Sequence, residues 1–112
     1  MAALTVTAVT TVGGVADVAA AATAAAGSGD TAPVGPGYFL AVVNAGASTR
    51  TVTIATPGKV KGHAIADATL AVAAGDTGII PLPYLFRDAT GRASITYDAV
   101  TSLSVAVFKL GA

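Results

Sequence analysis

An all-β fold, a compact β-sandwich of about seven short antiparallel strands with an Ala-rich N-terminal arm, is what this sequence predicts. Three observations predict it. Aliphatic and β-branched residues alternate with small or polar ones in 51–54, 93–98 and 103–108, the side-chain period of a half-buried strand. Clusters of Gly, Pro, Asn and Asp separate such runs at short intervals. No stretch places large apolar residues at helical spacing over several turns.

Leu4 to Val12 mostly alternates and is rich in Thr and Val, so it reads as a strand until Gly13-Gly14 interrupts it. Residues 15–26 have the helix propensity of alanine but no stripe of large side chains to dock a helix, so helix and extended arm are equally consistent with them. Gly27-Ser28-Gly29-Asp30 and Pro33-Val34-Gly35-Pro36-Gly37 mark a linker or long loop. The segment from Val15 to Pro36 is therefore expected to add little to the core and to become ordered against a neighbour, and deleting residues 15–34 is expected to leave the sandwich folded while weakening its hold on that neighbour.

Tyr38 to Val43 is a nearly continuous apolar run, as expected of a strand buried on both faces or at the centre of a sheet. Beyond the turn Asn44–Ser48, Thr49 to Thr56 alternates with Val52 and Ile54 inward, and the two runs are expected to pair as a hairpin. Pro57-Gly58 ends the second run, and Lys59 to Ala66, lacking either period, reads as a crossing loop. Thr69–Ala73 and Thr77–Ile80 are short strands about the turn Ala74-Gly75-Asp76, and Pro81 and Pro83 bar the second from the centre of a sheet. Arg92 to Asp98 turns Ala93, Ile95 and Tyr97 to one side, and Leu103 to Phe108 turns Leu103, Val105 and Val107 inward.

Composition narrows the function. Hydrophobic residues make up 54% of the chain, but 27 residues are Ala, which leaves enough larger side chains for one thin sandwich. A single domain over 1–112 is expected, with the N-terminal strand and arm in 1–36 and the core in 37–112. Charged residues are 11%, against about 25% in an ordinary soluble domain, so the surface is dominated by Ala, Thr, Ser and Gly and is cheaply desolvated. Six cations balance six Asp without any run of like charge, which argues against a nucleic-acid partner. The Ala-rich stretch 15–26 contains Asp17 and is shorter than the roughly 20 residues of a membrane span. The first cation is Arg50, so no basic region precedes the apolar N-terminus. A soluble protein with no membrane partner is expected.

Chemistry-bearing constellations are sparse. His63 is the single histidine, and its neighbours Lys61, Gly62 and Ala64 offer no nucleophile or carboxylate, so it reads as a solvated loop residue. The six Asp are scattered without metal-ligand spacing, and three of them, Asp30, Asp76 and Asp88, fall in turn contexts. The glycines lack the ending and context of a phosphate-binding loop, and there is no cysteine. No catalytic residue, cofactor site or metal site is assigned, and a non-enzymatic protein is expected. The cluster Pro81, Leu82, Pro83, Tyr84, Leu85 and Phe86 is the most specific local feature, readable both as a lid on the core and as an apolar contact for another subunit.

Phe39-Leu40-Ala41-Val42-Val43-Asn44, Thr51-Val52-Thr53-Ile54, Ala73-Ala74-Gly75, Pro81-Leu82-Pro83, Ile95-Thr96-Tyr97 and Val100-Thr101-Ser102-Leu103, taken in this order, resemble small structural proteins of tailed bacteriophages, of the head decoration or cement type. The resemblance covers residues 37–110 and locates no active site. It implies a virion protein, made in the host cytoplasm, that binds major capsid protein on the outside of the head shell as a homo-oligomer, in one form a trimer. Head–tail connectors and tail proteins carry similar β frameworks, and a virion-surface carbohydrate- or receptor-binding module is a further reading, weakened by the absence of Trp and the presence of only three Tyr.

Overall fold

The computed structural model describes residues 2–110, and its regular secondary structure is almost wholly strand. In chain order these are β1 (Ala2–Ala3), β2 (Val6–Val9), β3 (Thr23–Ala24), β4 (Asp30–Ala32), β5 (Tyr38–Asn44), β6 (Arg50–Ile54), β7 (Lys59–Val60), β8 (His63–Ala64), β9 (Ala68–Val72), β10 (Thr77–Pro81), β11 (Ala93–Tyr97) and β12 (Leu103–Leu110). One sheet has the order β1-β4-β11-β6-β9. The facing sheet has the order β10-β5-β12-β2, with β3 also paired to β12, and β7 and β8 form a separate ribbon. The chain is an all-β sandwich.

The inward side chains are those that the period-two pattern selects. Leu40, Val42, Val105 and Val107 from one sheet meet Val52, Ile54, Ala93 and Ile95 from the other, all essentially inaccessible to water. Each large aliphatic side chain buried here contributes about 1.5–3 kcal/mol relative to exposure. On the outer sides of β6, β9 and β11, Thr51, Thr53, Thr69 and Thr96 replace the apolar residues.

Connectivity departs from the expected hairpin. β5 and β6 lie in opposite sheets, β5 between β10 and β12 and β6 between β11 and β9, so the segment between them is an arch across the sandwich. The links from β9 to β10 and from β11 to β12 also change sheets. Asn44 explains where the first arch forms. Buried at 1% exposure, it donates Nδ2–H to the carbonyls of Ser48 (2.8 Å) and Val72 (2.9 Å) and accepts from Gly46 N–H on Oδ1 (3.1 Å). A side chain that bonds the returning chain and the end of β9 directs the backbone out of its own sheet.

The N-terminal third departs further. The expected strand Leu4–Val12 is divided: β1 pairs in parallel with β4, β2 pairs in parallel with β12, and Leu4 between them is buried in the core. The two parallel pairs depart from the all-antiparallel expectation. Residues 15–36 are integral to the sandwich. Asp17 caps the single helical turn α1 (Val18–Ala21) by accepting from Ala20 N–H at 3.3 Å, and β4 enters the sheet between β1 and β11. Val9, Val15, Val18, Ala21 and Ala22 pack over Phe39, Ala41, Ala106 and Phe108, the outward residues of β5 and β12. Phe39 and Phe108 stack beneath them with ring centroids 5.4 Å apart. This third layer is why Leu40, Ala41 and Val42 are all 0% exposed although they alternate in direction.

The expected crossing loop Lys59–Ala66 contains the β7–β8 ribbon, turned by Lys61 (φ 52°) and Gly62 (φ 80°). Asp30, expected in a turn, is fully buried in β4.

Candidate interaction surface

The cluster Pro81–Phe86 is divided by the structure between its two readings. Pro81 ends the edge strand β10, where a residue without N–H is tolerated. Leu82 donates its N–H to Tyr38 O (2.9 Å) and accepts from Gly35 N–H (2.9 Å), and its side chain is fully buried. Residues Tyr84–Phe86 then make one 3-10 turn, which swings Phe86 into the core at 5% exposure. Leu82 and Phe86 are thus the lid. Pro81, Pro83, Tyr84 and Leu85 face outward, Tyr84 at 61% and Leu85 at 56% exposure.

Ile79 extends this apolar run. It shares the face of Pro81, two residues on, and is 63% exposed. Sequence reading missed it by treating Thr77–Ile80 as a strand without asking which face each residue takes. The alternation about Pro81 carried that signal. Arg87 and Asp88 bound the run on its C-terminal side. The Asp88 carboxylate is committed to its own turn: it accepts from the Thr90 hydroxyl, Thr90 N–H and Arg92 N–H, and these bonds, led by the hydroxyl, hold it below its ordinary range. Lys109 stands over the Tyr38 ring, 5.5 Å from its centroid.

His63 is exposed on the β7–β8 ribbon. Among the described residues no three His, Cys, Asp or Glu gather as metal ligands, and no helix is long and apolar enough to cross a membrane. A cleft of about 330 Å³ opens where β2 and β3 share the edge of β12, lined by Leu4, Val105 and Val107 with the hydroxyls of Thr5, Thr7 and Thr23. Its walls carry no titratable group. Arg92 bridges β1 and β4, donating to Leu4 O (2.7 Å), Thr31 O (3.1 Å) and Thr31 Oγ1 (3.1 Å).

The buried acid–phenol pair has a measurable consequence. Tyr97 donates its hydroxyl to Asp30 Oδ2 at 2.6 Å, and Asp30 also accepts from Ala26 N–H at 3.2 Å. Burial, reinforced by the bond to the carboxylate and by its charge, raises the phenol far above its ordinary value. The folded state therefore keeps a proton that the unfolded chain releases near pH 10. The stabilisation is fully present below about pH 10 and is lost progressively as the pH rises above it. Denaturant titrations across that range are expected to show this alkaline decline in the wild type and a shallower one in Tyr97→Phe; equal slopes would remove Tyr97 as the cause.

The chain matches no family model, no curated protein and no solved structure.

Proposed function

We propose that this protein is a non-enzymatic structural module of a virion, a decoration or cement protein that binds major capsid protein on the outside of a phage head shell. The observation that carries the reading is the run Ile79, Pro81, Pro83, Tyr84 and Leu85, exposed on a frame fixed from beneath by Leu82 and Phe86. An aromatic and aliphatic patch anchored to a rigid core loses little conformational freedom on binding, which is the property of an interface hot spot. The low charge of the remaining surface and the resemblance of residues 37–110 support the same reading. Affinity for the assembled lattice would stabilise that lattice by mass action, and repetition over a symmetric shell multiplies weak contacts.

The double variant Tyr84→Ala/Leu85→Ala tests it. Both side chains are exposed, so the melting temperature is expected to stay near that of the wild type while binding to purified shells weakens about tenfold or more. Undiminished shell binding overturns the assignment of the patch. Quantitative mass spectrometry of purified particles reads the role itself. A copy number that follows the shell lattice supports decoration, whereas a single ring's worth supports a connector or tail component.

A further inference from the structure

Both sheets end, on the same side of the sandwich, in strands with no further strand paired beyond them among the described residues: β9 in one and β10 in the other. Ladder alternation shows which backbone groups they leave free. Asp98 N–H bonds Thr51 O and Ala55 N–H bonds Ser94 O, so the odd residues of β6 serve β11 and its even residues serve β9. In the β6–β9 register the even residues Ala68, Leu70 and Val72 point inward, and Thr69 and Ala71 present N–H and C=O to the open edge. By the same reasoning Leu82 N–H to Tyr38 O and Asn44 N–H to Asp76 O set the inward parity of β10. Thr77 and Ile79 are its outward residues, and Pro81, next in that parity, has no N–H to offer.

These edges lack the usual guards. Neither Ala68–Val72 nor Thr77–Pro81 contains a charged residue. Edge strands are ordinarily protected from pairing by lysine, proline or bulges. Pro81 is the one such device here, and it lies beyond both outward donors of β10.

We propose that a second copy of this chain pairs with both edges at once about a single two-fold axis, joining each sheet to its symmetry mate. A two-fold centred on Leu70 sets Thr69 of one copy opposite Ala71 of the other, the pairing in which outward N–H and C=O groups exchange bonds in both directions. A two-fold centred on Gly78 does the same for Thr77 and Ile79. The two centres are stacked: a Cβ built on Gly78 would stand 3.4 Å from Leu70 Cδ2 and 3.1 Å from Val72 Cγ2, so one axis can pass through both. In these registers Asp67 falls opposite Ala73, Asp76 opposite Ile80 and Pro81 opposite Gly75, so no like charges meet and the proline is outside the ladder. The interface is isologous and closed, which separates it from open-ended edge aggregation and from a trimer, one of the forms the phage resemblance allows.

The chain has no cysteine, so crosslinking has no background. Facing residues of a hydrogen-bonded antiparallel pair have Cα atoms about 5.5 Å apart, within disulfide reach. The double variant Thr69→Cys/Ala71→Cys of the full chain, oxidised in dilute solution, is expected to give a covalent dimer. Sedimentation of the wild type is expected to show a reversible monomer–dimer equilibrium. Thr69→Lys/Ala71→Lys, which sets lysines opposite one another on an exposed face, is expected to weaken it about tenfold or more with an unchanged melt. Ile79→Pro, which removes one outward N–H, is expected to weaken it as well. A monomer at all concentrations, a trimer, open-ended assembly, or a wild-type dimer whose cysteine variant does not crosslink would each overturn the proposal. The readouts use isolated protein, so their failure leaves the shell-binding reading untouched.

Discussion

Asn44→Ala is expected to destabilise the domain by about 2–3 kcal/mol. Truncation leaves the buried Val72 carbonyl without its partner, and the Ser48 carbonyl and Gly46 N–H, whose bonds are only partly buried, lose theirs where water can partly replace it. Leaving a buried polar group unpaired costs about 1–3 kcal/mol each. The backbone of the same region adds leverage. Asn44 N–H bonds Asp76 O, Gly75 N–H bonds Asn44 O, and Ala45 N–H bonds Ser102 O, so three arches between the sheets converge on this strand end. Asn44→Asp separates packing from hydrogen bonding. Its carboxylate can still accept from Gly46 N–H but cannot donate to two carbonyls, so at neutral pH it is expected to be at least as destabilised as Asn44→Ala. Urea denaturation of the three proteins measures this, and a near-native Asn44→Asp would refute the account.

Asn44 also marks the limit of what the sequence discloses. Its setting in Asn44-Ala45-Gly46-Ala47-Ser48 announces a turn, and a turn is present. Whether that turn closes a hairpin or an arch depends on a bond to Val72, 28 residues on, to which no local pattern points. The inward residues of β6 and β11 were legible because alternation is local and each has one buried face, and those of β12 because its inward Leu103, Val105 and Val107 alternate with smaller residues, although its outer face is covered as well. The double burial of β5 was legible from its continuous apolar run, although its cover was not. That cover is Val15, Val18, Ala21 and Ala22, which are too small and too few to declare an amphipathic stripe, yet suffice against the flat surface of Phe39, Ala41 and Phe108. Within Pro81–Phe86 the sequence could not divide the buried side chains from the exposed ones. The 3-10 turn sends Phe86 inward and leaves Tyr84 and Leu85 out.

Removing residues 15–34, with a short linker keeping Leu4 to Val12 attached, is expected to abolish cooperative folding, the reverse of what their composition suggests. The excised segment includes β4, which pairs with β11 on one side and β1 on the other, so one deletion breaks two ladders of the same sheet. It removes Ala32 from the core, Asp30 from beneath Tyr97, and Thr31 from the grip of Arg92. It also strips α1 and β3 from the opposite sheet and opens the outer side of Phe39 and Phe108 to water. Against a total stability of about 5–15 kcal/mol for an ordinary domain, losing an internal strand and a covering layer together leaves no margin. A subtler variant reports on the same joint. Gly29 precedes β4 with φ at 94°, and a Cβ there would lie 2.6 Å from Ile95 O, so Gly29→Ala must move the entry of the strand at a cost of about 1–3 kcal/mol. Circular dichroism melts and denaturant m-values of both variants decide the matter. A deletion variant that melts cooperatively near the wild-type temperature would show that the sandwich closes without β4, and a Gly29→Ala protein of unchanged stability would show that the junction is slack.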